Sequence, residues 1–416
     1  MRYSLSNYIT YKEDGNNKII RSQISNSTIE LTEYKFIEEL NGIINSGGTD
    51  RLESSLEQAL FAENFLYEDH EEIGAVIEKK ESETLEFILF PTEDCNLNCT
   101  YCYEKHEKIE LKEPHYNLLL SLVKNAIDVD KKKVISVCWF GGEPLLKIND
   151  IVSFNRGIIN EISNKDVTFV SGITTNGVLL NKTTFNLLLD NNITSYQITL
   201  DGYTHDEQRK FKNGAGSFNI ILKNILDALT IKRDFKILLR VNITNKEFDF
   251  SFYDLFTEFS EDKRLQFLIR PVGKWGDEDF DLPIFTDQQK ISEILKQHND
   301  YIKSKGLFIY EEEKYDLLKY ACYAGSKSTY AIRANGGIAK CTVAIEDDIN
   351  NIGFLDLENG VMVIDEEKEK KWIEDAVTEK CLECSNLARC YNRVCPLKRI
   401  NNCADMYCMK YYEVMA

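Results

Sequence analysis

The stretch Pro91-Thr92-Glu93-Asp94-Cys95-Asn96-Leu97-Asn98-Cys99-Thr100-Tyr101-Cys102-Tyr103-Glu104 directly follows an apolar, strand-like run at 85–91. It packs three thiols into eight residues with the spacing C-x3-C-x2-C. Three thiolates on one tight loop suit three irons of a [4Fe–4S] cluster and leave the fourth iron open to a substrate or cofactor. A structural zinc site calls for a fourth ligand, and His106 is the only histidine nearby. A reactive loop at a strand end also bears on architecture. If further strands alternate with helices, functional residues gather at the C-terminal ends of parallel strands.

That alternation runs through the middle of the chain. Strand candidates lie at 85–91, 134–140, 167–174, 195–200, 236–243 and 265–272, with amphipathic helical stretches such as 116–127, 151–162, 217–231 and 287–304. Strands alternating with helices read as parallel βα units. Six units fall short of the eight of a closed barrel. The expected fold class is therefore α/β, a partial (β/α)6 TIM-like barrel open on one side, spanning residues 83–315. Ahead of it, residues 1–82 read as a winged-helix-like domain. It has a strand at 27–31, a helix from Glu33 capped by Thr32, a break at Gly47-Gly48, a helix at 51–64 capped by Asp50, and a weak strand at 73–77. Residues 316–416 form a cysteine-rich end.

Composition narrows the function classes. The 416 residues carry a net charge of −18, which argues against nucleic acid or an anionic membrane surface as partner. No run approaches the roughly 18 apolar residues of a membrane span, and residues 1–15 show no apolar signal-peptide core. The expectation is a cytoplasmic protein whose thiols stay reduced, so its 12 cysteines read as ligands rather than disulfides. Cys138 stands apart in Val134-Ile135-Ser136-Val137-Cys138-Trp139-Phe140 and reads as a core residue.

The cysteine loop resembles the signature of the radical SAM (S-adenosylmethionine) superfamily, in which the open iron is chelated by SAM. Further motifs match in order along the strand ends: Gly141-Gly142-Glu143-Pro144, then Thr174-Thr175-Asn176-Gly177, then Gln197-Ile198-Thr199-Leu200-Asp201-Gly202 with His205-Asp206-Glu207-Gln208-Arg209 after it. The resemblance implies iron ligands at Cys95, Cys99 and Cys102. It implies SAM contacts at Tyr101 (beside the adenine), Gly141, Gly142, Glu143 and Pro144 (toward the amino group), Thr174, Asn176, Thr199, and Arg209 (toward the carboxylate). A carboxylate suits an ammonium, and a guanidinium suits a carboxylate. Thr199 stands where relatives usually carry serine and keeps the hydroxyl.

The later cysteines, Cys322-x13-Gly336-x4-Cys341, then Cys381-x2-Cys384-x5-Cys390-x4-Cys395, then Cys403 and Cys408, resemble the SPASM extension of that superfamily. One interval departs: four residues separate Cys390 from Cys395 where the pattern has three. The resemblance implies two auxiliary [4Fe–4S] clusters, so three in all, or about 12 Fe per chain. Cys381, Cys384 and Cys390 fall to the outer cluster, and Cys322, Cys341 and Cys395 to the inner. Cys403 and Cys408 are shared between the two in an order left open. A zinc-ribbon reading of the C-x2-C pair is the structural alternative.

What these likenesses imply is an enzyme that uses a 5′-deoxyadenosyl radical to take hydrogen from a carbon, with a reductant such as flavodoxin or ferredoxin. SPASM enzymes of this length mostly act on peptides, which suggests cross-linking of a ribosomally made precursor peptide through a cysteine thioether. Residues 1–80 carry eight basic and 15 acidic side chains, a balance suited to a basic leader segment. A plain structural cap is the other reading of that domain. Formylglycine formation on a sulfatase is the alternative activity, but there an aspartate follows the second SPASM cysteine, and Cys341 is followed by Thr342. A simple iron–sulfur electron carrier would need no SAM motifs. Candidate substrate-side residues are Arg270, Trp275 and Asp277, with Asp277 as catalytic base or part of a solvated acidic loop, while Arg240 and Asn242 on the fifth strand read as facing SAM or as a structural inward polar pair.

Overall fold

A computed structural model describes residues 3–6, 9–15, 17–22, 27–63, 65–68, 73–273, 288–310, 321–374, 381, 390 and 394–401. Contacts divide the chain into two units, one of residues 1–82, 311–325 and 373–412, the other of residues 83–310, 326–372 and 413–416.

In the first unit, β1 (Tyr3–Leu5) is followed by the meander β2 (Ile9–Asp14), β3 (Asn17–Ser22) and β4 (Thr28–Leu31), which pair antiparallel with β3 in the middle. Then come α1 (Tyr34–Ser46), β5 (Gly48–Thr49), α2 (Ser55–Ala62), β6 (Leu66–Glu68) and α3 (Ile73–Ser82). Strands β5 and β6 flank β1. Ile20, Leu31, Leu40, Ile43, Leu56, Leu60, Phe65 and Leu66 form the core. Three local expectations are corrected. The cap of α2 is Ser54, not Asp50. Ser54 Oγ accepts from Glu57 N at 2.9 Å while Glu57 Oε2 accepts from Ser54 N at 2.9 Å, a reciprocal capping box. Glu33 rather than Thr32 is the first residue of α1's cap, with no side-chain bond. The run at 73–77 opens a helix rather than a strand, because a short apolar run is ambiguous between the two periods.

The second unit is built on one twisted sheet. Its strands are β7 (Thr84–Leu89), β9 (Val134–Trp139), β10 (Thr168–Thr175), β11 (Ile193–Thr199), β13 (Lys236–Ile243), β14 (Leu265–Pro271), β15 (Phe308–Ile309), β16 (Thr329–Ile332), β17 (Gly337–Ala339), β18 (Asn351–Asp356) and β19 (Val361–Ile364). The spatial order is β15-β14-β13-β11-β10-β9-β7-β16-β17-β18-β19. The six strands expected from sequence all appear in parallel array. The array continues at both ends, with β15 parallel to β14 and β16 parallel to β7. Residues 329–364 are thus part of the same sheet, added as the antiparallel β16–β19 meander. The sheet stays open among the described residues. Helices α4 (Glu113–Asp128), α5 (Ile148–Ile162), α6 (Lys182–Leu189), α8 (Phe218–Leu229) and α9 (Gln288–Ser304) alternate with the strands, while α7 (His205–Gln208) is a single turn. Among the described residues no helix is long and apolar enough to cross a membrane.

Strand alternation sets the core. Phe87, Leu89, Ile135, Val137, Trp139, Ile173, Tyr196, Ile198, Ile237, Leu239, Val241, Phe267 and Ile269 are buried on one face. Residues of the other parity look to the inner face. Cys138 has that parity, and this corrects the expectation of a core thiol. It is half-buried in the register of Ser136, whose Oγ donates to Glu86 Oε1 at 3.1 Å. Burial, with the nearby Glu86 carboxylate adding, pushes its thiol up to about 12, so it is a poor nucleophile.

Behind the sheet, His298 of α9 is fully buried among Phe248, Phe250 and Tyr253. Its Nδ1 shares a hydrogen bond of 2.6 Å with Tyr253 Oη, while Nε2 has no partner among the described residues. Burial pushes the imidazole down to about 4. Above about pH 6.5 the ring is neutral in both folded and unfolded chains. Below that, the unfolded chain binds a proton that the folded one refuses until about pH 4. Stability from this group is therefore lost as the pH falls, by about 2 kcal/mol at pH 5. Urea unfolding at pH 7 and pH 5 reads this directly, and His298→Gln, less stable at pH 7, is expected to lose that part of the slope.

Candidate functional site

The C-terminal strand ends hold a cavity of about 160 Å³ lined in part by Cys95, Cys99, Tyr101, Cys102, Thr174, Asn176, Thr199 and Arg209. The cysteine loop is fixed there from three sides. Below it runs the turn after β9. Gly141 has φ 101°, and a Cβ on it would sit 2.5 Å from Thr92 O; a Cβ on Gly142 would sit 2.3 Å from Asp94 O. Only glycine permits this approach of backbone to backbone. Gly142 N donates to Thr92 O at 3.3 Å, and Glu143 N to Asp94 O at 2.9 Å. To one side, Arg333 after β16 grips Glu93 through two parallel bonds of 3.0 and 2.9 Å and donates to Ile345 O at 2.8 Å. Both partners of that pair are largely buried, and its fork geometry fixes orientation as much as it adds energy.

The third side carries Arg209. Residues Leu97–Cys99 form strand β8 and pair antiparallel with β12 (Arg209–Phe211), so that Cys99 lies directly opposite Arg209. Thr100 N donates to Gln208 O at 2.9 Å just beyond the ladder. The loop that presents the thiols and the residue expected to hold a carboxylate are thus tied together by one hydrogen-bonded ladder. His205, fully buried, braces it. Asp201 N donates to its Nδ1 at 3.1 Å. Its Nε2 therefore carries the proton and meets Ser217 Oγ at 3.0 Å, and Ser217 in turn donates to Arg209 O at 2.7 Å. Burial pushes His205 down to about 2, which keeps this tautomer neutral.

Inside the cavity the phenol of Tyr101 is a hub. It donates to Asp201 Oδ2, and it accepts from Arg209 Nη1 at 3.0 Å and Asn242 Nδ2 at 3.0 Å. Asp201 Oδ1 accepts from Asn242 N at 2.8 Å, and Arg240 Nε donates to Asn242 Oδ1 at 2.8 Å. Asp201 and Asn242 are the site members whose roles sequence reasoning missed. The sequence marks Asp201 as part of a motif and Asn242 as a residue that could face SAM, but neither as a partner of Tyr101. Arg209 Nε is buried with no partner among the described residues. A buried guanidinium N–H without an acceptor is costly, and an anion in the cavity would satisfy it.

Glu143 is fully buried behind the cavity wall rather than exposed in it. Its Oε1 accepts from Leu145 N at 2.9 Å and Thr175 Oγ1 at 2.7 Å, and its Oε2 accepts from Asn176 N at 2.7 Å. Oε2 keeps one acceptor position. Burial raises its pKa, against the pull of these bonds. Asn176, so held, donates to Asn96 Oδ1 at 2.7 Å and to Cys95 Sγ at 3.7 Å. Pro144 is buried and opens a short 3-10 turn. Thr174, Thr199, Gln197 and Arg240 line the cavity, while Arg270 sits across from Asn242 in the β13–β14 register. Trp275 and Asp277 lie outside the described residues.

The chemistry of the donor set suits iron and a small zwitterion. Three thiols line the cavity, although among the described residues no three potential ligands stand as a preformed metal site, and Cys95 Sγ accepts from Leu97 N at 3.4 Å, the kind of N–H contact that supports a metal-bound sulfur. Burial, with Glu143 adding, pushes Cys95 up to about 12, and burial raises Cys99 as well. Without a cation this pocket keeps its thiols protonated, and metal binding must displace those protons. Cys341 repeats the Cys95 device, with Val343 N donating to its Sγ at 3.4 Å. Asn350 locks the Cys341 loop, accepting from Lys340 N and Cys341 N and donating to Cys341 O and Ala344 O. Cys384, Cys403 and Cys408 lie outside the described residues, and of Cys322, Cys381, Cys390 and Cys395 only Cys390 is fully buried.

Residues 89–243 match the family described as the Radical SAM superfamily. The chain is 24% identical over 324 residues to a cysteine-type anaerobic sulfatase-maturating enzyme of Clostridium novyi, covering 73% of this chain and 85% of that one. Among solved structures, anSMEcpe with bound AdoMet and a peptide aligns with TM-score 0.54 and 17% identity, covering 80% of this chain and 98% of that chain. Streptococcus suis SuiB bound to precursor peptide SuiA aligns with TM-score 0.51 and 16% identity, covering 94% and 95%. At such identities the two structures speak for the fold.

Proposed function

We propose that this chain, which carries a radical SAM domain at residues 89–243, is a peptide maturase that cross-links a ribosomally made precursor by joining a cysteine sulfur to a carbon. The observation that carries the reading is the pairing of Cys99 with Arg209 on the β8–β12 ladder. Three thiols and a guanidinium N–H with no partner among the described residues line one cavity, which supports a cluster beside a bound carboxylate. A cluster with bound SAM would supply a carbon radical able to take hydrogen from an unactivated carbon. The chain's part is placement. Cys95, Cys99 and Cys102 would hold the cluster, Arg209 would take the SAM carboxylate, Tyr101 and Thr199 would line the nucleoside side, and Glu143 would hold Asn176 against Cys95. The sheet's inner face, with Arg240 and Arg270, would receive the peptide, and Asp277 is the proposed base. The eight cysteines from Cys322 onward would hold two auxiliary clusters.

A peptide substrate is supported by the SuiB and anSMEcpe structures, each solved with a peptide. Among the described residues the antiparallel sheet β2-β3-β4 leaves two edges, and a leader could add there as a further strand. Formylglycine formation is less well supported. Thr342 follows Cys341, and the nearby Glu346 is already engaged by Arg333 and Lys105. The test is incubation of the reconstituted protein with SAM, a flavodoxin-type reductant and a short cysteine-containing precursor peptide sought in the neighbouring open reading frames. Each cross-link is expected to lower the peptide mass by about two daltons, the two hydrogens lost. An unchanged mass despite SAM cleavage overturns the reading.

A further inference from the structure

One side chain of the cavity has no part in the assignment above. His106 follows Cys102 by four residues and lines the cavity. Its Nε2 lies 3.2 Å from Cys102 Sγ. Its backbone sits at φ 53°, in the left-handed region, which costs a non-glycine residue about 1 kcal/mol. The loop thus turns sharply at His106 and brings the ring back onto the sulfur.

We infer that His106 donates a hydrogen bond from Nε2 to Cys102 Sγ and thereby raises the reduction potential of the cluster held by Cys95, Cys99 and Cys102. The inference rests on the proposed cluster. The direction of the bond follows from the chemistry of the sulfur. A metal-bound cysteine has lost its proton and can only accept, so the facing ring nitrogen must carry the hydrogen. Such a bond draws charge off the thiolate and favours the reduced cluster, which holds one more electron. Cys95 receives comparable bonds from Leu97 N and Asn176 Nδ2, but those come from backbone and a buried amide. A zinc ion ligated by both groups is the competing explanation. Zinc bond lengths at a tetrahedral angle would separate S and N by about 3.6 Å. The 3.2 Å contact is shorter, a direct hydrogen-bonding distance in which either atom can donate, so that a thiolate at Cys102 leaves the ring as the donor.

The test uses the full-length, cluster-loaded protein and its His106→Phe and His106→Gln forms. Phenylalanine keeps the ring and pays the same backbone cost without the donor. Glutamine places an amide N–H near the Nε2 position. The readout is a potentiometric titration followed by electron paramagnetic resonance, with the cluster signal identified by its change on adding SAM. His106→Phe is expected to shift the midpoint to more negative values, and His106→Gln to stay closer to the unsubstituted protein. Equal midpoints in all three overturn the inference, as does an equal shift in both variants, which would reflect packing rather than the donor. Failure of both variants to load the cluster also overturns it, because the residue would then be architectural. If the unsubstituted protein shows no SAM-sensitive signal, the radical SAM reading itself falls, an outcome distinct from the others.

Discussion

Replacing any one of Cys95, Cys99 and Cys102 with alanine is expected to abolish reductive cleavage of SAM, leaving 5′-deoxyadenosine at background. With two thiolates a four-iron cluster has a second open iron and loses the protein contact that orients it. Each sulfur has its own anchorage, so none can stand in for another. Cys95 is buried against Leu97 N and Asn176, Cys99 is on the ladder with Arg209, and Cys102 is beside His106. The fold should survive, because the core lies on the opposite face of the sheet, with Trp139, Ile198 and Leu239. Iron analysis should fall by about four per chain while far-ultraviolet circular dichroism stays unchanged. Cys138→Ala is the control. That half-buried thiol faces Ser136 and Glu86 rather than the loop, and its loss should leave iron content and SAM cleavage intact. Retained cleavage in the Cys95, Cys99 or Cys102 variants would remove the basis of the proposed function.

How much of this was legible in the sequence depended on range. The cysteine loop and the glycine turn could be read because their spacing is local and unusual, and the strands because alternation persists over six or more residues. The ladder joining Cys99 to Arg209 could not, since β8 and β12 are each three residues long, too short for any period to register. Nor could the pairing of β16 with β7, which spans more than two hundred residues of sequence and is decided by packing. Roles were harder than positions. Glu143 reads as a ligand-facing carboxylate, and the sequence is silent on the three donors that hold it in place. Tyr101 reads as an aromatic surface, whereas its hydroxyl is what the neighbouring polar groups use. The short apolar run at 73–77 and the acidic Asp50 point away from the helix at Ile73–Ser82 and the Ser54 cap that form. The Ser54-x-x-Glu57 pattern was available as the better signal.

Arg209→Lys should separate ligand binding from cluster assembly. The guanidinium spends one nitrogen on Tyr101 and holds another, Nε, buried with no acceptor among the described residues. Lysine keeps the positive charge that Asp201 needs nearby, but it has a single ammonium in place of the fork and cannot serve both partners with the same geometry. A hydrogen bond between charged groups contributes about 1.5–3 kcal/mol, so SAM affinity is expected to fall by roughly 10- to 100-fold. Arg209→Met should fall further and also cost stability, because burial already raises the Asp201 pKa and the substitution removes the larger of the two guanidinium charges that oppose it. Iron content should be unchanged in Arg209→Lys, since the β8–β12 ladder is made by backbone atoms that the substitution leaves in place. Calorimetric titration of SAM into the loaded protein reads the affinity, and iron analysis of the same sample reads the cluster. If Arg209→Lys bound SAM as tightly as the unsubstituted protein, the carboxylate would not be seated on this side chain. If affinity and iron fell together, Arg209 would act through the loop it is laced to rather than through the ligand.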